Sequence, residues 1–385
     1  MSVATLSSSA PASGTAHRFG TSTPFQIGVE EELFLVDPHS LRTAGPVDEV
    51  LSRPRVAAGD VMGEICDGVV ELVTPVCDNA AGACRSLRDL RAEVLSTNAA
   101  TLLGVGVHPT ADFGDVSHRP GARYDVISAS TRSLLRQSAY CGVHIHVGMP
   151  DPETAIAAYN GMRKWVPLLQ ALSANSPFWH GHDSGLASTR TVLCHSVPRT
   201  GLPRAFHDWA DYEETVEELL VAGELTDDSA VWWDLRPHPR LGTLEVRVLD
   251  AQSSLADLEA LVALVHCLVV HEASSSDPVP VSSEVLGEAT FRALRDGIAA
   301  TFSLGDGVRS VREHATHAFH LAQGYVEPLG CDLAVGQITR LLAQGNGAVR
   351  QRNAYERGGI AGVLEHLARE TAEGAHLRGV HGAAA

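Results

Sequence analysis

Lysine is almost absent from this chain: Lys164 stands alone beside 28 arginines among 385 residues. No Walker A Gly-Lys-Ser/Thr loop can exist, and Lys164 is the sole candidate for a kinase-type lysine or a pyridoxal Schiff base. Phosphate chemistry, if there is any, falls to arginines and metal ions. Basic charge is scarce as a whole, 29 Lys and Arg against 46 Asp and Glu, for a formal net charge of −17. Nucleic acid and other polyanions are therefore excluded as main partners.

Paired cysteines are missing too. Seven cysteines are scattered with no C-x-x-C spacing, which argues against a disulfide framework and a structural zinc knot and predicts a cytoplasmic protein. Long apolar runs are lacking: the most apolar segment, 255–270, is interrupted by Asp257, Glu259 and His266 and falls short of the ~20 residues that span a bilayer. Residues 1–22 have no basic start and no apolar stretch, so they read as a disordered tail and not as a signal peptide. The last residues, 376–385, are expected to fray, leaving 23–375 as one domain.

What is present reads as mixed α+β. Strands are predicted over 25–36, 102–107, 141–148 and 241–249, and helices after Asp78 and Asp151, over 257–270, and through most of 283–371. Strands with one polar face disfavour a doubly wound parallel sheet, whose strands are apolar on both faces. Residues 176–206 form a long aperiodic stretch of the kind that carries function.

Three strands share one anomaly. Side chains two apart on a strand face the same way, so Glu30 and Glu32 project together, ~7 Å apart, with Val29, Glu31 and Leu33 on the reverse. His144 and His146 pair in the same manner against Val143, Ile145 and Val147. Glu245 and Arg247 pair against Leu244, Val246 and Val248. A solvated sheet face would more often carry Lys, Thr or Ser. In a fourth segment, an Asp67-Gly68 hairpin turn would set Glu64 directly across from Glu71, a repulsive pairing that makes sense with a cation between them. Carboxylates and imidazoles without thiolates suit Mg²⁺ or Mn²⁺. Magnesium commonly binds with phosphates, which implies a nucleotide substrate. Arg190, Arg199 and Arg236 are candidate clamps for phosphate or carboxylate oxygens. His314, His317 and His320 recur at helical spacing but lack a fourth zinc ligand.

The runs IGVEEELFLVDP (27–38), Glu64 and Glu71 before TPVC (74–77), CGVHIHVG (141–148), LSANSPFW with GLASTR (172–190), WWDLRPH with TLEVRVLD (232–250) and RQRNAYERGG (350–359) together resemble the type 2 glutamate–cysteine ligases, the carboxylate–amine ligases of the YbdK type. The resemblance covers about 25–370. It implies a glutamine-synthetase-like fold with a curved antiparallel sheet and flanking helices, ATP as co-substrate, Mg²⁺ and a possible homodimer. By motif, Glu30, Glu32, Glu64, Glu71, His144 and Glu245 match metal ligands, while His146 and Arg247 face phosphates or glutamate, with Arg247 expected to be catalytic. The family's Asn-x-Trp-Arg-Ala-x-Arg-x-Gly run is replaced by EATFRALRDG (288–297). Arg292, Arg295 and Gly297 remain, with Arg295 expected at the substrate, but the acceptor side of the site is left open. The implied activity is ATP-dependent joining of the glutamate γ-carboxylate to an amine, by default cysteine, through an acyl phosphate. Cations would quench repulsion between the carboxylate and the γ-phosphate. A metal-dependent hydrolase of phosphoesters or amides, and a non-catalytic nucleotide or amino-acid sensor, fit the same residues as alternatives.

Overall fold

The computed structural model describes residues 17–43, 47–53, 55–97, 100–115, 117–275 and 281–376. Its centre is a sheet of seven strands: β1 (Ile27–Val36), β2 (Asp60–Gly63), β3 (Val69–Val73), β4 (Thr101–Leu103), β5 (Gly142–Gly148), β6 (Leu235–His238) and β7 (Thr243–Asp250). The order is β2-β3-β1-β5-β7-β6, with β4 paired to the C-terminal end of β1. Every pairing is antiparallel, as expected for an α+β chain whose strands are polar on one face. β1 stops where the Asp37 side chain accepts from the His39 and Ser40 N–H groups, at 3.1 and 2.7 Å.

The apolar face of the sheet, with Val29, Leu33, Val143, Ile145, Val147, Leu244 and Val246, packs on helices. These are α1 (Ala80–Leu95), α2 (Pro152–Met162), α3 (Val166–Ser173), α4 (Leu255–Ala273), α5 (Ser283–Asp296), α6 (Val311–Val326) and α7 (Asp332–Gln344), while α8 (Gly347–His376) packs on α1 and β4 and puts Val363, Leu364 and Leu367 into a separate apolar cluster with Phe34, Val36 and Leu103. The central one is α4, against which α1, α2, α6 and α7 all pack. It is apolar around most of its circumference, as a helix surrounded by others must be. Burying each such Leu or Val contributes about 1.5–3 kcal/mol, so the apolar face is committed to the core and the polar face is left for chemistry.

Local signals acted as expected at Asp151, whose side chain caps α2 by accepting from the Thr154 N–H at 2.8 Å, with Pro152 in the first turn. They were one residue off at α1, where Asn79 is the cap and Asp78 instead accepts from Gln26 Nε2 at 2.9 Å. Lys164, at the junction of α2 and α3, pairs with buried Glu272 of α4 at 2.9 Å. Of the expected N-terminal tail, 1–16 lie outside the described residues, but 17–22 are docked. Phe19 is buried edge-on against Trp209, and Gly20 donates to Met149 O. Of the expected frayed end, 377–385 lie outside the described residues. Among the described residues, no helix is long and apolar enough to cross a membrane.

Candidate active site

The strand register assembles the site. Glu30 stands opposite His144, Glu32 opposite Glu71, and Glu245 opposite both His146 and Arg236. Residues opposed in an antiparallel pair share a face, so side chains from β1, β3, β5, β6 and β7 converge on one side. The pairing of β5 with β7 slips by one residue between Val143 and Ile145, leaving Arg247 and Val248 together against His144. Such a bulge re-aims side chains, and both residues line the cavity.

The Glu64 hairpin forms differently from its expected register. Asp67 and Gly68 do make a turn, with the Val69 N–H donating to Cys66 O at 3.2 Å and Gly68 at φ +84°. However, Met62, not Glu64, stands across from Glu71. Residues 65–67 are drawn off the hairpin by residues 117–119: the Asp67 N–H donates to Ser117 O and the Arg119 N–H to Ile65 O. The shift is two residues, which preserves the face, and Glu64 still lines the cavity.

That cavity has a volume of about 420 Å³ and is lined by Glu30, Glu32, Glu64, Glu71, Asp234 and Glu245, six carboxylates facing three guanidiniums, Arg190, Arg236 and Arg247. Burial works against the Glu30 carboxylate, but hydrogen bonds and charge from His144 and His146 hold it well below the ordinary range. His144 Nδ1 lies 3.1 Å from Glu30 Oε2. Burial, with Arg247 nearby, pushes His144 down to about 4, so its imidazole is neutral, the form that ligates metals. His146 Nδ1 is fixed by Thr243 Oγ1 at 3.0 Å, and its Nε2 lies 3.4 Å from Glu30 Oε1 and 3.7 Å from Glu245 Oε1. Glu245 is buried, yet Arg247 and Arg236 hold it ionised, far below the ordinary range; Arg236 Nε and Arg247 Nη1 donate to its two oxygens.

Glu32 and Glu71 behave in the opposite way. Burial and the charge of Glu64 push Glu32 up to about 7, although it accepts from the Gly142 N–H at 2.6 Å. Burial, Glu64, Glu30 and Glu32 push Glu71 up to about 9. Even with Arg247 near both, these opposed carboxylates stay above the ordinary range, a pairing that a divalent cation would neutralise. Donor atoms of Glu30, His144 and Glu245 lie within 4.8 Å of one another, as do those of Glu32, Glu71 and His144. An oxygen-rich set with one shared imidazole and no thiolate fits Mg²⁺ or Mn²⁺.

The arginines divide. Arg190, on the short helix Thr189–Cys194, is buried and lines the cavity. Its Nη2 donates only weakly, to Arg247 O at 3.4 Å, and its Nε has no hydrogen-bond partner among the described residues. It lies directly over Gly142, where an added Cβ would meet Nη2 at 2.1 Å. Arg236 is tied to Glu245 and to Val231 O. Arg199 is a correction: its guanidinium lies over the Trp232 ring and donates to Ala230 O, and Trp232, not Arg199, lines the cavity. Arg295 is another: it is exposed, pairs with Asp296 and lies against Phe291, away from the cavity. Asp234 and His238 also line the site and were not singled out from the sequence. They lie two residues either side of Arg236, so the same alternation that marked the other strands points to them.

Comparison with known proteins gives the site its context. The sequence matches glutamate–cysteine ligase family 2 (GCS2) over residues 26–376. A Halobacterium salinarum glutamate–cysteine ligase is 36% identical over 355 residues, 89% of this chain and 96% of that one. A Rubrobacter xylanophilus relative, named provisionally as glutamate–cysteine ligase 2-1, is 37% identical over 343 residues, 87% of this chain and 91% of its own. In fold, the chain is similar to the crystal structure of a Francisella tularensis glutamate–cysteine ligase in complex with AMP, with a TM-score of 0.69 at 14% identity, covering 92% of this chain and 90% of that one. From the sequence match over nearly its whole length, with an α+β antiparallel fold to accord, the chain belongs to glutamate–cysteine ligase family 2 and is a ligase-type enzyme.

Proposed function

We propose that this enzyme is an ATP-dependent carboxylate–amine ligase that joins the γ-carboxylate of glutamate to an amine, with cysteine as the reference acceptor. The observation that carries the reading is the convergence of Glu30, Glu32, Glu71, Glu245 and His144 with Arg190 and Arg247 in one cavity. Carboxylates suited to divalent cations stand there beside guanidiniums suited to anionic oxygens. In this reading, a glutamate carboxylate oxygen attacks the γ-phosphorus and ADP leaves. The amine nitrogen then attacks the acyl carbon, phosphate leaves, and the nitrogen gives up its proton.

The chain's own residues orient and neutralise. Arg190 and Arg247 grip phosphate or carboxylate oxygens through their planar forks. Glu245 keeps Arg236 and Arg247 in place from below, and Thr243 fixes the ring of His146. Glu30, Glu32, Glu64, Glu71, His144 and Glu245 would hold Mg²⁺, which when bound supplies positive charge between the two reacting anions. The Francisella tularensis enzyme's complex with AMP is consistent with an adenine nucleotide as co-substrate.

Full-length protein with ATP, Mg²⁺, glutamate and a pool of amines tests this. ADP and phosphate should form only when glutamate and an amine are both present, with a γ-glutamyl amide seen by mass spectrometry. Release of phosphate from simple esters without ATP would instead favour the hydrolase.

A further inference from the structure

A second cavity, also about 420 Å³, lies behind one wall of the first. Thr191 faces the catalytic cavity and Val192 the second; Thr200 and Gly201 divide in the same way, and Asp234 lines both. The far side is α5, which contributes Leu286, Gly287, Phe291 and Leu294.

The lining chemistry is selective. The surface it exposes is mainly apolar, from Val192, Leu202, Leu286, Phe291 and Leu294, with His195, Ser196, Asp234, Ser283 and Thr290 as the polar lining, and no lysine or arginine is among the lining residues. The one cationic candidate, His195, already points Nε2 at both oxygens of Asp234, 3.0 Å from each. A carboxylate or phosphate entering here meets an imidazole already paired with a carboxylate, so its desolvation is only partly compensated. An ammonium can use the remaining lone pairs of Asp234, while an apolar body gains from burial against Val192, Leu286, Phe291 and Leu294.

We propose that this cavity receives the amine acceptor, and that the acceptor is a primary amine with an apolar body and no carboxylate, its nitrogen at Asp234 on the boundary with the catalytic cavity. The proposal rests on the ligase reading and replaces cysteine as the favoured acceptor.

Gly287 makes the proposal testable. A Cβ built there meets nothing within 4 Å, and leucine favours a helix more than glycine does, so Gly287→Leu fills space without breaking α5. With full-length protein, ATP, Mg²⁺ and glutamate, n-hexylamine and benzylamine should be ligated with higher kcat/KM than cysteine. Gly287→Leu should raise KM for these amines roughly tenfold or more, and raise KM for cysteine far less. Preference for cysteine, or no change in the apolar-amine KM in Gly287→Leu, overturns the proposal. Calorimetric titration of n-hexylamine separates its fate from that of the ligase reading. Heat that disappears in Gly287→Leu, with no turnover on any acceptor, supports an apolar-amine site while overturning the ligase reading. No heat and no ligation of apolar amines overturns the site itself.

Discussion

Arg91 of α1 forms a bidentate ion pair with Glu31 on the reverse of β1, between Glu30 and Glu32, and neither side chain has any solvent exposure. Arg91 also donates to Gln252 O and Ser253 O, so one guanidinium ties the strand that carries two site carboxylates to the segment leading into α4. Breaking a buried pair on one side leaves an uncompensated charge. We therefore expect Arg91→Met to lower unfolding free energy by about 3–5 kcal/mol, measured by urea denaturation, and Arg91→Met with Glu31→Leu to recover part of it. Equal loss in the single and double variants would show that the charge is not the cause.

Glu245→Gln keeps the shape of a side chain that orients two arginines but removes its charge. Turnover should fall by roughly three orders of magnitude while circular dichroism stays unchanged. Wild-type activity in this variant would refute a role for Glu245 in holding metal and arginines.

The carboxyls of Glu32 and Glu71 give the metal-free protein a pH-dependent stability. Their folded-state values, about 7 and about 9, lie above the ordinary glutamate value of about 4.3. The sign follows from linkage: the folded state binds more protons, so stability is fully present below about pH 4.3 and lost as pH rises through about 7 and then about 9. Melting temperature in EDTA should fall over that window from these groups, and excess Mg²⁺ should reverse the fall. A flat difference between the EDTA and Mg²⁺ curves across pH would exclude these carboxylates as the binding groups.

Gly142→Ala places a methyl where Arg190 Nη2 lies. Arg190 is buried and cannot simply swing into solvent, so its fork must shift. We expect KM for ATP or glutamate to rise roughly tenfold, since misplacement of a clamp on this scale costs up to two orders of magnitude, with a smaller change in melting temperature. Unchanged KM for both substrates would remove Arg190 from the binding set.

The part of the site built from regular strands could be read from the chain alone. Period-two alternation placed Glu30, Glu32, His144, His146 and Glu245 on one face, because each pair sits inside an unbroken strand flanked by committed core residues. Features decided by partners distant in sequence could not be read this way. The register of Glu64 depends on bonds to residues 117–119, and the burial of Glu31 depends on Arg91, 60 positions away. Arg190, Arg199 and Arg295 look alike locally. Only the packing of Arg190 on Gly142, of Arg199 on Trp232 and of Arg295 beside Asp296 separates the arginine in the cavity from the two outside it.

The lone lysine, paired with Glu272 away from the cavity, bears on what the enclosure does to reactive species. No lysine lines it, and guanidiniums are too weakly nucleophilic to be acylated there. The one thiol among its lining residues, Cys194, is pushed up to about 12 by burial and by the charge of Glu32 despite nearby Arg190, so it stays protonated. An activated acyl group generated inside would therefore meet neither an amine nor a thiolate on the walls, two of the side-chain nucleophiles that would otherwise compete with an incoming amine.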